Sequence, residues 1–170
     1  MKILTVSPEH LPALSALAAK TFSDTFGHLY PAEDLQDFLR TAYAPEVLAV
    51  QVADPDHFWR MAWLGGEAVA YLQLCPVGLP HPDADPAKEG ELKRLYVDVS
   101  QHGAGIGKQL LTLGLDYLSD RYGDAPQWIG VWSENFKAQA IYRARGFEKV
   151  GEYGFTVGTV KDREFILRKG

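Results

Sequence analysis

Seven consecutive residues, His102-Gly103-Ala104-Gly105-Ile106-Gly107-Lys108, carry the clearest chemical signal in this chain. They join a strand-like run, Glu91 to Val99, to a helix-like run beginning Gln109-Leu110-Leu111. A glycine-rich turn between strand and helix lets successive backbone N–H groups converge where the helix dipole is positive, which suits a phosphate. Glycine supplies both the unusual backbone angles and the close approach. Two familiar phosphate loops fail on spacing. A Walker-type loop needs Ser or Thr after its Gly-Lys, where Gln109 stands, and a glycine where His102 stands. A dinucleotide fingerprint begun at Gly105 needs glycine where Leu110 stands. What remains is x-x-G-x-G directly after a strand, which is either a pyrophosphate site or a tight connection.

A second segment, Val131 to Phe147, reads as strand, loop, helix and glycine stop, with Asn135, Ala138, Tyr142, Gly146 and Phe147 at fixed spacing. Together the two segments resemble the GNAT superfamily of acetyl-CoA-dependent N-acetyltransferases. That family carries a Q/R-x-x-G-x-G/A loop and a later N-x-x-A-x-x-x-Y-x-x-x-G-F stretch. Here Gly105 and Gly107 match the loop, and His102 stands where the family has Gln or Arg. A narrower resemblance, to the PaiA-type spermidine/spermine acetyltransferase branch, rests on Thr21 to His28 and on Gly130-Val131-Trp132-Ser133-Glu134-Asn135.

The resemblance implies a cofactor, acetyl-CoA, and a set of roles. The pantetheine arm would lie along Leu95-Tyr96-Val97, held by backbone groups, and Gly103, Ala104, Gly105, Ile106, Gly107 and Lys108 would take the pyrophosphate, with His102 beside them. Lys108 also fits a solvated helix residue. Asn135 would reach the pantetheine arm, although as a favoured helix N-cap it needs no further role. Tyr142, two turns further along the same helix face, would protonate the thiolate, since a phenol of pKa ~10 holds its proton at neutral pH. A buried core tyrosine is the alternative.

Some family members carry a base, Glu, where Gly130 stands. Glu91 is then the next candidate, acting through water, with an exposed strand-end carboxylate or a plain water chain as alternatives. Phe22, Phe26, His28 and Tyr30 are expected to line the acceptor pocket, with Glu33 or Asp34 attracting an ammonium, although aromatic residues there equally suit a core. The reaction expected is direct attack of a small primary amine, polyamines first, within a ternary complex. A peptide acceptor and a non-catalytic acyl-CoA sensor remain as alternatives.

Length and composition agree with one such domain over residues 1–170. The chain has 46% apolar and 23% charged residues and a net charge of −5, which argues against general nucleic-acid binding. The only cysteine, Cys75, permits no internal disulfide, so a cytoplasmic location is expected, and Cys75 reads as a core residue. Neither a signal peptide nor a membrane span is expected. His10, His28, His57, His81 and His102 lack ligand spacing, so no metal is expected.

To position these residues the periodicity predicts β-α-α-β-β-β-α-β-α-β-β, an α/β (α+β) fold with a mixed, largely antiparallel sheet and helices on both faces, as the family resemblance also implies. Helices are expected from Pro8, from Pro31 and from Gly105 to about Tyr122, with a further short helical piece after Pro45. Gly65-Gly66 marks a hairpin between strands 57–64 and 67–75. A polar loop is expected over 76–90, a strand over 127–132, a helix over 135–145, and final strands near 147–157 and 163–168. Those last strands could pair with a second subunit to form a homodimer.

Overall fold

A computed structural model describes all 170 residues. The elements are β1 (Lys2–Thr5), α1 (Leu11–Phe26), α2 (Ala32–Tyr43), α3 (Pro45–Ala53), β2 (Phe58–Leu64), β3 (Glu67–Pro76), β4 (Gly90–Val97), α4 (Ile106–Tyr122), β5 (Gln127–Trp132), α5 (Phe136–Arg143), β6 (Glu148–Val157) and β7 (Val160–Lys169). The strands form one sheet in the order β1-β2-β3-β4-β5-β7-β6. Every neighbouring pair is antiparallel except β4 with β5.

The alternation of side chains along the strands divides the core in two. Leu72, Leu74, Leu92, Ile129 and Leu167 point to one face and pack against Ile106, Leu110, Leu111 and Leu118 of α4 and Tyr142 of α5. Trp59, Met61 and Tyr71 point to the other, against Leu14, Leu17, Phe22, Tyr43 and Leu48 of the first three helices. Leu14, Ala18 and Phe22 recur every four residues along α1 and are all buried, so a single helical stripe makes this contact.

Two expectations change. The piece after Pro45 is a full helix, α3, which adds a third helix before β2. Arg94 on β4 holds it to the sheet by donating to Gln51 (3.1 Å) and Gln73 (2.9 Å). The last strand begins at Val160, because Val157 pairs with Val160 across a tight turn at Gly158-Thr159. The segment after β3 is tied to the sheet: Val77 packs with Trp128 and Ile166, and the Trp128 indole donates to Glu89 at 2.7 Å.

Candidate active site

The site begins where the sheet parts. β4 pairs with β5 only through Gly90–Gln127, Glu91–Trp128 and Leu92–Ile129. At that point Gln73 faces Arg94 while Leu74 faces Leu92, so Lys93 is an extra residue, a bulge that bends β4. Beyond it β5 continues alongside β7 as far as the Trp132–Glu164 pair, leaving β4 behind. The Asp98 N–H donates to the Val69 carbonyl of β3 at 2.8 Å. Alternation therefore turns the N–H and C=O groups of Leu95 and Val97 into the gap between β4 and β5. The His102 ring nitrogen Nε2 sits 3.0 Å from the Val97 carbonyl, so the residue standing in place of Gln or Arg closes the turn back onto β4.

Gly103 and Gly105 take φ of +88° and +80°, a conformation that costs an L side chain about 1–2 kcal/mol. Gly105 is the N-cap of α4. No protein acceptor takes the N–H groups of Gly103, Gly105, Ile106, Gly107 or Lys108. Gly103, Ala104, Gly105 and Lys108 are exposed, and Ile106 anchors the loop in the core. Free amides at the start of a seventeen-residue helix fit a phosphate-bearing cofactor, and the open edge of β4 beside them fits an extended amide-containing arm.

On the far side of the gap, the Asn135 side chain accepts from the Ala138 N–H at 3.1 Å and caps α5. Buried Gln139 donates to the carbonyls of Trp132 (3.1 Å) and Ser133 (2.9 Å), which fixes the β5–α5 turn. Tyr142 is 9% exposed. Burial alone pushes its phenol up to about 12, so it keeps its proton.

The opposite face of β5, β7 and β6 gathers three of the residues expected to line an acceptor pocket, Phe26, His28 and Tyr30. The ring centroids of Phe26 and His28 lie 5.6 and 6.5 Å from that of Trp132. The Tyr30 hydroxyl donates to Asp162; burial first, then that contact, raises the phenol's pKa. Glu164 follows Asp162 on the same face of β7. Burial, reinforced by the Asp162 charge, pushes its carboxyl up to about 7.

Three expected site residues stand elsewhere. Phe22 is 3% exposed and packs on Phe38, Phe26 and Tyr43 at centroid distances of 4.6, 5.0 and 5.8 Å, so it belongs to the core and not to a pocket wall. Glu91 is 3% exposed, accepts from the Gly78 N–H at 2.8 Å and lies 3.6 Å from the Lys93 ammonium. Its carboxylate anchors the segment after β3 to the sheet, as a buried structural acid and not an exposed strand end. Asp34 is taken up at the β6–β7 turn, accepting from the Thr159 N–H (3.1 Å) and hydroxyl (2.9 Å). Cys75 is buried, and burial with Glu91 nearby pushes its thiol up to about 12, far from a thiolate nucleophile. No three His, Cys, Asp or Glu side chains gather as metal ligands.

Trp132, Tyr153, Asp162 and Glu164 complete this face, and none was assigned a role from the sequence. A faint signal exists in the spacing of Asp162, Glu164 and Ile166, which puts two acids on the same face of a strand as a core residue.

Comparison with known proteins agrees with this geometry. Residues 12–147 match the acetyltransferase (GNAT) family. An uncharacterized N-acetyltransferase from the pepI 3′ region of Lactobacillus delbrueckii subsp. lactis is 31% identical over 99% of this chain and 96% of its own length. The N-alpha-acetyltransferase RimI of Mycobacterium tuberculosis is 28% identical over 85% of this chain and 81% of its own. Among solved structures, the PaiA N-acetyltransferase of Thermoplasma acidophilum in complex with coenzyme A shares the fold, with a TM-score of 0.76, 22% identity and 99% of both chains covered. The overall fold is thus shared with a solved acetyltransferase, and the chain belongs to the acetyltransferase (GNAT) family of acetyl-CoA-dependent N-acetyltransferases.

Proposed function

We propose that the chain is one acetyltransferase domain that moves the acetyl group of acetyl-CoA onto a small primary amine, with polyamines preferred, by direct attack in a ternary complex. Acetyl-CoA supplies an activated thioester. The free amides from Gly103 to Lys108 would bind its pyrophosphate. The gap-facing backbone of Leu95 and Val97, with Asn135 opposite, would orient the pantetheine arm. Tyr142 would hold a proton at its hydroxyl for the departing thiolate. Phe26, His28, Tyr30 and Trp132 would form the acceptor wall.

The observation that carries the acceptor class is the acidic pair Asp162 and Glu164, set beside Trp132 with no cation of the chain against Glu164. Carboxylates next to an indole face suit an ammonium group. The resemblance of Thr21 to His28 and of Gly130 to Asn135 to the PaiA-type branch gives the polyamine reading its narrower form, and a cytoplasmic location accords with small metabolites of this kind. A second reading, acetylation of a peptide amino terminus, is favoured by the similarity to RimI.

The test is release of CoA thiol from acetyl-CoA with spermidine, spermine, simple alkyl amines and short peptides. Saturable turnover on polyamines is the expected result. Turnover on peptides alone would overturn the acceptor and leave the chemistry standing.

A further inference from the structure

We infer that Glu164 is the catalytic base of this enzyme, taking a proton from the acceptor ammonium. The inference rests on the acceptor being an amine, as proposed above, and not on its being a polyamine.

β5 offers no base, because its site position is Gly130. The strand that continues the acceptor face beyond β5 is β7, and Glu164 is the residue of β7 opposite Trp132, the last residue of β5. The Ser133 N–H donates to the Arg163 carbonyl at 3.0 Å. That bond makes Trp132 and Glu164 a non-hydrogen-bonded pair, the closer of the two antiparallel pairings, with Cα atoms about 4.5 Å apart and side chains on one face. Glu164 is thereby held at the end of β5 where the sheet has parted from β4.

Its carboxylate is half-buried and is reached by no hydrogen-bond donor or cation of the chain. Asp162, by contrast, is occupied by the Tyr30 hydroxyl. The titratable groups around Glu164 are Asp162 on its own strand, Tyr153 on β6, Tyr30 after α1 and Tyr96 on β4, with His28 beyond Trp132. None is a permanent cation.

In the step proposed, an N–H bond of the ammonium breaks and an O–H bond forms on Glu164. The electron pair stays on nitrogen, which becomes the nucleophile. On return to the free enzyme, Glu164 gives the proton to solvent. An alkyl amine of pKa ~10.4 is almost wholly charged at neutral pH, so a base beside it is worth most for such acceptors.

The experiment compares the enzyme with Glu164→Gln and Glu164→Asp on two primary amines, one strongly and one weakly basic. kcat/KM is followed from about pH 5.5 to about pH 10, between the ordinary carboxyl and alkyl-ammonium ranges. In parallel, the carboxyl carbons of the free proteins are titrated by NMR, and coenzyme A affinity is measured by calorimetry. Glu164→Gln is expected to fold, to bind coenzyme A as before, and to lose roughly 10²- to 10³-fold at neutral pH on the strongly basic amine. The loss should shrink to under about 10-fold on the weakly basic one, and also as pH nears the amine's own pKa. Glu164→Asp should recover part of the rate. A carboxyl resonance titrating above the ordinary glutamate range should vanish in Glu164→Gln.

Equal losses on both amines, an acidic limb retained in Glu164→Gln, or a Glu164 resonance in the ordinary glutamate range would each overturn the assignment. Failure of the polyamine reading looks different: the enzyme itself would ignore polyamines while these comparisons held on whichever amine it accepts.

Discussion

The hydroxyl of Tyr153 fills the space in which a side chain on Gly130 would begin. A Cβ at Gly130 would lie 2.9 Å from that oxygen and 3.1 Å from Leu79 Cδ2. The family position that can hold a glutamate is here glycine because β6 supplies a phenol to the same volume. Burial first, then the charges of Glu164 and Glu91, raise the pKa of that phenol. Gly130→Ala is expected to cost about 1–3 kcal/mol through overpacking. Adding Tyr153→Phe should restore part of it by removing the oxygen, and a double-mutant cycle by chemical denaturation checks this.

Tyr142→Phe should lower kcat roughly 10- to 10³-fold, with coenzyme A affinity nearly kept, because it deletes a proton source and little packing. Steady-state kinetics with calorimetry tests this. An unchanged kcat would remove Tyr142 from the acid role.

Gly105→Ala places an L side chain at φ +80°. If the loop relaxes the resulting strain of about 1–2 kcal/mol by moving, coenzyme A binding should weaken by roughly 10-fold. Calorimetric titration of the variant measures it directly, and unaltered binding would show that the amides of the loop do not set the affinity.

Glu164 also sets a pH dependence of stability. Its carboxyl rises from 4.5 to about 7 on folding, so the folded state keeps the proton that the unfolded chain gives up first. Stability therefore falls as pH rises through that window, and the penalty is fully present above it. Relative to the parent, Glu164→Gln should gain roughly 1–2 kcal/mol at pH ~8 and lose that advantage by pH ~4.5. Urea unfolding at a series of pH values reads the difference.

Asp34→Ala removes both bonds to Thr159, at about 1 kcal/mol each. It should also raise the acceptor KM more than it lowers kcat, since α2 then no longer clasps the hairpin that carries Asp162. Kinetics against coenzyme A and acceptor separately will show which KM moves.

Much of this fold was readable because its signals are local. Gly65-Gly66 joins β2 to β3, Asn135 caps α5, and β5 has the predicted limits 127–132. The glycine turn and the start of α4 were legible for the same reason, being contiguous in sequence. The surroundings of Trp132 were not. Phe22 and Phe26 lie four residues apart on one face of α1, yet only Phe26 reaches Trp132, because α2 brings Phe38 against Phe22. Glu91 reads as a free strand end until the segment after β3 folds back and its Gly78 N–H claims the carboxylate. Glu164 gains its surroundings only when β7 enters the sheet beside β5, a pairing that no local pattern encodes.

The position of β7 has a consequence for how the molecule is assembled. It follows both β5 and β6 in the chain, but it lies inside the sheet, bonded to β5 on one side and β6 on the other. Until residues 160–169 leave the ribosome, β5 has an open edge and β6 has no neighbour. Glu164 arrives with that strand, so a nascent chain cannot set it beside Trp132 before β7 has joined β5.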